Sequence, residues 1–180
     1  MVDTALDIDF MVKGCKENNL KAQEMLYKSY YHSMMSLCLR YTKNDMDAME
    51  VLNTGFFKVL KNISKYDSAK ASLYTWMRRI IINSCIDFNK PKYFGGDSIE
   101  QAADLGELPA VFSAMAAKDI LDLIRQLPNA TKTVFNLYII EGYNHAEIAE
   151  ILSISQGTSK WHLSEARKKL QILINTEMHK

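Results

Sequence analysis

Apolar side chains recur along this chain every three or four positions, and no alternating pattern competes with that period. Met49, Leu52, Phe56, Val59, Leu60 and Ile63 fall on one face of a 3.6-residue helix. Leu26, Tyr30, Met34, Leu37 and Tyr41 do the same upstream, and Leu73, Trp76, Met77, Ile80 and Ser84 downstream. The stripe breaks between Lys65 and Ser72, which predicts a loop there. Ile80 to Ile82 has strand propensity, but its flanks continue the helical period. Three or four packed helices are expected in this half.

The second half carries shorter stripes. Ile120, Ile124 and Leu127 predict a helix ended by Pro128. Val134, Leu137, Tyr138 and Glu141 predict another, ended by Gly142. Asn144 and Glu147 then have the spacing of a capping box in front of Ile148, Ala149 and Leu152. The run Ser153-Ile154-Ser155 interrupts that helix, and Ser155 can cap a further one starting at Gln156. Two helices across a tight turn are a helix-turn-helix signature. Ala149 is the small residue at the crossing, with Ile148, Leu152, Ile154 and Leu163 as apolar pegs. Gln156, Thr158, Lys160, Trp161 and His162 then lie where a DNA major groove is met, and Arg167, Lys168 and Lys169 where phosphates are. Two positions depart from the pattern: Ser153 takes a turn position that favours Gly, and Ser159 a position that favours an apolar peg. An αα-hairpin with a solvated face satisfies the same spacing.

Composition narrows the fold class to all-α. Of 180 residues, 48% are hydrophobic and 24% charged, the balance of a globular protein, and 7 Gly with 3 Pro are too few for a turn-rich β architecture. No apolar run has membrane-spanning length, and the acidic start MVDTALDIDF does not resemble a secretory leader. Three widely spaced cysteines, Cys15, Cys38 and Cys85, favour a reducing compartment, so the expected location is the cytoplasm. The net charge of +1 hides a strong asymmetry: residues 58–92 hold 8 Lys/Arg against 2 Asp/Glu, whereas residues 93–127 hold 2 against 6. The first of these suits a polyanion. The second overlaps the Gly-, Pro- and acid-bearing run from Lys90 to Ala110, which reads as a linker. Two small helical domains, 1–92 and 114–180, joined by a flexible linker over 93–113, are therefore expected. His32, His145, His162 and His179 lack metal-ligand spacing, Gly95-Gly96 stands alone without a phosphate-loop pattern, and no nucleophile motif occurs. The expectation is a protein that is not an enzyme and needs no metal or cofactor.

These motifs resemble, in order and over nearly the whole chain, the bacterial extracytoplasmic-function (ECF) sigma factors, a two-domain group of RNA polymerase initiation subunits. The stretch from Leu127 to Leu170 is similar to the family's carboxy-terminal domain, which reads the −35 promoter element, and that from Met25 to Lys90 to its amino-terminal domain, which grips polymerase and opens the −10 element. The resemblance implies that Asp47, Glu50, Asn53 and Thr54 dock on the clamp helices of the polymerase largest subunit. Met49 replaces an acid of the family pattern, and Gly55 sits inside the helix at an intrinsic cost of about 1 kcal/mol. Trp76, Met77, Asn83 and Asp87 match the next conserved block, with Trp76 structural. The loop from Ser64 to Ser72 corresponds to a pocket for a flipped non-template base. Tyr66 and Tyr74 there offer stacking surfaces, Lys65, Lys70, Arg78 and Arg79 counter-charge, and Thr75, Arg79 and Asn83 one face for single-stranded DNA. The implied partners are core RNA polymerase, promoter DNA (duplex at −35, single-stranded at −10) and an anti-sigma factor, with no direct insertion into a membrane. A stand-alone helix-turn-helix regulator explains the second half equally well but not the block from Asp47 to Asp87, and a helical enzyme or adaptor explains neither.

Overall fold

The computed structural model describes residues 5–90 and 116–177, so the stretch read as a linker, 93–113, lies outside the described residues. All secondary structure among the described residues is helical: α1 (Ala5–Lys16), α2 (Leu20–Tyr41), α3 (Asp45–Asn62), a 3-10 turn (Ile63–Lys65), α4 (Leu73–Asn89), α5 (Ala117–Arg125), α6 (Asn129–Phe135), α7 (His145–Leu152) and α8 (Gln156–Glu177). The all-α expectation holds. The described residues fall into two compact units, one from residues 5–39 and 44–88 and the other from 40–43, 89–90 and 116–177.

In the first unit the apolar stripes meet as their spacing requires. Met11 and Cys15 of α1, Leu26, Met34, Leu37 and Cys38 of α2, Val51, Leu52, Phe56 and Val59 of α3, and Leu73, Met77, Ile81 and Cys85 of α4 are all buried. Burying a side chain of this size is worth about 1.5–3 kcal/mol relative to leaving it in water, so the stripes dominate the unit's stability. Caps fix where the helices begin. The Asn44 Oδ1 accepts from the Asp47 N–H at 2.8 Å, and the Ser72 Oγ accepts from the Thr75 N–H at 3.2 Å. Gly55, a cost by propensity, has a tertiary reason: a β-carbon there would collide with the Ile81 side chain, so the missing carbon lets α3 and α4 approach closely.

In the second unit α6 widens into a π turn over Asn136–Ile140, and Gly142, at φ +80°, reverses the chain so that the Tyr143 N–H reaches the Leu137 carbonyl at 2.9 Å. The capping box read from the sequence is present: the Asn144 side chain accepts from the Glu147 N–H at 3.0 Å, and the Glu147 carboxylate accepts from the Asn144 N–H at 2.8 Å. Ile148, Leu152 and Leu163 are buried as pegs, joined by Val134, Phe135, Ala166, Leu170 and Ile174.

The turn between α7 and α8 is a Schellman motif. Ile154 N–H bonds the Ala149 carbonyl at 3.0 Å and Ser153 N–H the Glu150 carbonyl at 3.4 Å, with Ser153 left-handed at φ 57°, ψ 46°. Serine is strained in this conformation, where its β-carbon crowds the following carbonyl at a cost of about 1–2 kcal/mol. Ser153→Gly is therefore expected to stabilise the second unit by about 1 kcal/mol, read as a higher urea midpoint at unchanged slope. A lower midpoint would refute the assignment of strain.

Candidate functional site

Three exposed surfaces carry the residues singled out in the sequence. On α3, Glu50, Asn53 and Thr54 are exposed and Asp47 is half-buried, all on the side away from the core stripe. Asn53 is held in place, since its Oδ1 accepts from the Tyr27 hydroxyl at 3.1 Å. Two neighbours missed in the sequence share this surface: Met46 is 84% exposed and Phe57 68%. Met46, Glu50, Asn53 and Phe57 follow one another at four-, three- and four-residue steps, so a single stripe carries polar groups between two apolar ends. The signal was present in the Phe56-Phe57 pair, because the buried stripe takes Phe56 and cannot take both.

The second surface is the loop after the 3-10 turn and the first turns of α4. Here the loop is built: Asp67 Oδ1 accepts from the Ala69 N–H at 3.0 Å, and the Lys70 N–H donates to the Asp67 carbonyl at 3.1 Å. Lys65, Lys70, Arg79 and Asn83 are exposed, Tyr74 is 43% exposed and Arg78 is half-buried. The Lys70 ammonium lies 3.7 Å from the Asp67 carboxylate, a solvated pair of small energetic weight. The Thr75 hydroxyl lies 2.9 Å from the Ser72 Oγ, so it is engaged in the helix cap. Tyr66 is only 8% exposed, and its ring packs on Trp76 with centroids 5.5 Å apart, so most of the stacking surface it offers is already covered. Lys58 and Asp87 pair across α3 and α4 at 3.0 Å.

The third surface is the start of α8. Ser155 repeats the chemistry of Ser72: its Oγ accepts from the Thr158 N–H at 2.9 Å and lies 2.9 Å from the Thr158 hydroxyl. Gln156, Lys160 and Lys168 are exposed, and Trp161, Arg167 and Lys169 are half-buried. The half-buried His162 is held from inside, with its Nδ1 3.2 Å from the Thr131 hydroxyl of α6 and its ring edge-on to Trp161. Gln156 and Lys160 are thus the exposed polar groups nearest the helix start.

Ser159, expected to be an apolar peg, is fully buried yet satisfied: its Oγ lies 2.9 Å from the His145 Nδ1, and the imidazole stacks on Tyr138 with centroids 4.5 Å apart. This contact ties the first helix of the motif to the second. Burial, and then the positive charges of Lys160 and Arg167, pull the His145 pKa below the ordinary imidazole value of 6.5. As pH falls through that value the unfolded chain takes up a proton that the folded chain refuses. The stability contributed by neutral His145 is thus complete above pH 6.5 and is lost as pH falls through the lower folded value. The melting temperature of the second unit is expected to drop between about pH 7.5 and pH 5.5, and His145→Gln to flatten that drop. An unchanged profile in the variant would exclude His145 as its source. Among the described residues, no group of three or more His, Cys, Asp or Glu is placed to hold a metal ion, and no helix is long and apolar enough to cross a membrane.

Both halves of the chain are similar to known proteins. Sigma-70 region 2 matches residues 26–90, and Sigma-70 region 4 matches residues 117–170. The chain is 28% identical over 174 residues to the ECF RNA polymerase sigma factor SigW of Bacillus subtilis, covering 89% of this chain and 92% of that one. It is 24% identical over 177 residues to the ECF RNA polymerase sigma-E factor of Haemophilus influenzae, again covering 89% and 92%. To the RNA polymerase sigma-H factor of Pseudomonas aeruginosa it is 22% identical over 175 residues, covering 89% and 90%. Among solved structures it is similar to CnrH in complex with the cytosolic domain of CnrY, at 17% identity, 93% and 96% coverage and a TM-score of 0.49. With most of α2 and all of α3 and α4 inside one matched region, α5 to α8 holding the other, and relatives of the same kind over nearly their full length, the chain belongs to the sigma-70 family, as a factor of the ECF type.

Proposed function

We propose that this chain binds core RNA polymerase through α3 and directs it to promoters, reading the −35 duplex with the start of α8 and capturing unpaired −10 bases on the loop and first turns of α4. The observation that supports this best is the pairing, in one chain, of the α3 stripe with a fully capped helix-turn-helix. A regulator that works alone has use for the second and none for the first.

On this reading residues 1–92 form the amino-terminal sigma domain, 114–180 the carboxy-terminal one and 93–113 the tether. Asp47, Glu50, Asn53 and Thr54 engage the polymerase clamp, with Met46 and Phe57 as apolar anchors. Gln156, Thr158, Lys160, Trp161 and His162 face base edges, while Arg167 and Lys168 approach phosphates. Lys65, Lys70, Arg78 and Arg79 neutralise the single strand, Tyr66 and Tyr74 border the bases, and Thr75 and Asn83 complete the polar face. No covalent step is involved. Each extruded base that is bound offsets a few kcal/mol of lost pairing and stacking, so capture shifts the melting equilibrium. The factor acts in the cytoplasm, and an anti-sigma partner holds it inactive until its signal arrives.

The test is run-off transcription with core polymerase, the purified chain and genomic templates, followed by sequencing of the transcripts. Shared upstream hexamers at −35 and −10 are the expected result. Nanomolar binding of promoter duplex by the chain alone in physiological salt would overturn the reading, since residues 128–180 hold only 6 Lys/Arg against 5 Asp/Glu and attract phosphate weakly.

A further inference from the structure

Two asparagines of α3 use their side chains in opposite ways. The Asn62 Nδ2 donates to the Lys58 carbonyl at 2.8 Å, one turn back along the helix, so its donor end is spent within α3. Asn53 engages its acceptor end instead: its Oδ1 accepts from the hydroxyl of Tyr27 on α2 at 3.1 Å. A carboxamide has one end that accepts and one that donates, so holding the oxygen against Tyr27 leaves the Nδ2 of this exposed residue to the surface. Among the described residues no group accepts from it.

Tyr27 is anchored well enough to fix that orientation. Its ring packs on Phe56 with centroids 4.6 Å apart and on Tyr31 at 5.6 Å, and Phe56 is itself in the core. Burial, and then the neighbouring Tyr31, push the Tyr27 hydroxyl pKa above its ordinary value of 10, so the hydroxyl keeps its proton and remains a donor. The amide cannot flip without losing this bond. It is thus a fixed donor on a helix face whose other groups, the Asp47 and Glu50 carboxylates, only accept.

We propose that Tyr27 is a positioning residue for polymerase docking: it presents the Asn53 amide as a donor, and the polymerase surface offers an acceptor, a carbonyl or carboxylate oxygen, at that point. The inference rests on the reading of α3 as the docking helix and adds to it the chemistry of one contact and a residue of α2 that controls it. It also supplies selectivity, because a surface showing a donor there would leave two donors facing each other.

The experiment titrates labelled full-length chain with core RNA polymerase. Asn53→Asp keeps the oxygen that accepts from Tyr27 and changes only the outward atom, from donor to acceptor. It is expected to weaken binding about tenfold or more, beyond the roughly fivefold loss of Asn53→Ala, since two acceptors then meet without a proton between them. Tyr27→Phe keeps the ring on Phe56 but frees the amide, and should weaken binding about threefold or more. In the Asn53→Ala background Tyr27→Phe should change nothing further, because no amide is left to hold. Asp47→Lys with Glu50→Lys is the control for docking itself. If the control loses binding while Asn53→Asp and Tyr27→Phe match wild type, the inference is refuted and docking through α3 stands. If the control also changes nothing, both readings fall. Asn53→Asp binding as tightly as wild type, or more tightly, refutes the acceptor on polymerase. Additive losses for Tyr27→Phe and Asn53→Ala refute positioning, because Tyr27 then acts through the fold or by its own contact.

Discussion

Reversing the charges of Asp47 and Glu50 together is expected to lower affinity for core RNA polymerase by about a hundredfold or more, the scale of breaking charged contacts at a protein interface. Phe57→Ala alone should cost about tenfold or more, because a large exposed aromatic side chain that is desolvated on docking carries a disproportionate share of binding energy. Both rest on one geometric fact. Met46 and Phe57 stand exposed at the two ends of a stripe whose centre is carboxylate and amide, while the opposite face of α3 is occupied by its own core. None of the three substitutions touches that core, so circular dichroism should be unchanged and melting lowered only slightly, by the ~0.3–1 kcal/mol that a positive charge costs in the first turn of α3. Titration of labelled chain with core polymerase measures the effect. Wild-type affinity in both variants would mean that polymerase docks elsewhere.

The second large effect concerns melting. Replacing Lys65, Lys70, Arg78 and Arg79 by Ala is expected to reduce run-off transcription by about a hundredfold or more, since each phosphate contact and each captured base contributes to an opening that costs a few kcal/mol per step. The loss should be selective. On a template whose −10 strands are mismatched, and so already open, most of the activity should return, because the duplex no longer has to be unpaired. Failure of the open template to rescue transcription would show that these cations act in assembly and not in strand capture.

Much of this architecture was legible in the sequence because it depends on spacing. The stripes of α2, α3 and α4, the Asn144–Glu147 capping box and the Ser155 cap each follow from residues within four positions of one another. What escaped depends on what lies opposite. The cost assigned to Gly55 has its reason in Ile81, far along the chain, and the polar peg Ser159 finds His145 across the turn. His162 and Tyr66 look equally available in sequence, yet one is engaged by Thr131 and the other covered by Trp76. Helix α1 was silent for another reason: Met11, Val12 and Cys15 give it a buried side too short to stand out as a period. The exposed Phe57 was readable, as the apolar residue left over when a stripe is complete.

All three thiols of the chain, Cys15, Cys38 and Cys85, are buried in the first unit and in no disulfide, and burial pushes the Cys15 thiol pKa up. A thiolate-seeking reagent therefore meets almost nothing to attack while that unit is intact. Alkylation kinetics thus become a built-in clock for the opening of the first unit alone. The second unit carries no sulfhydryl and keeps no such time.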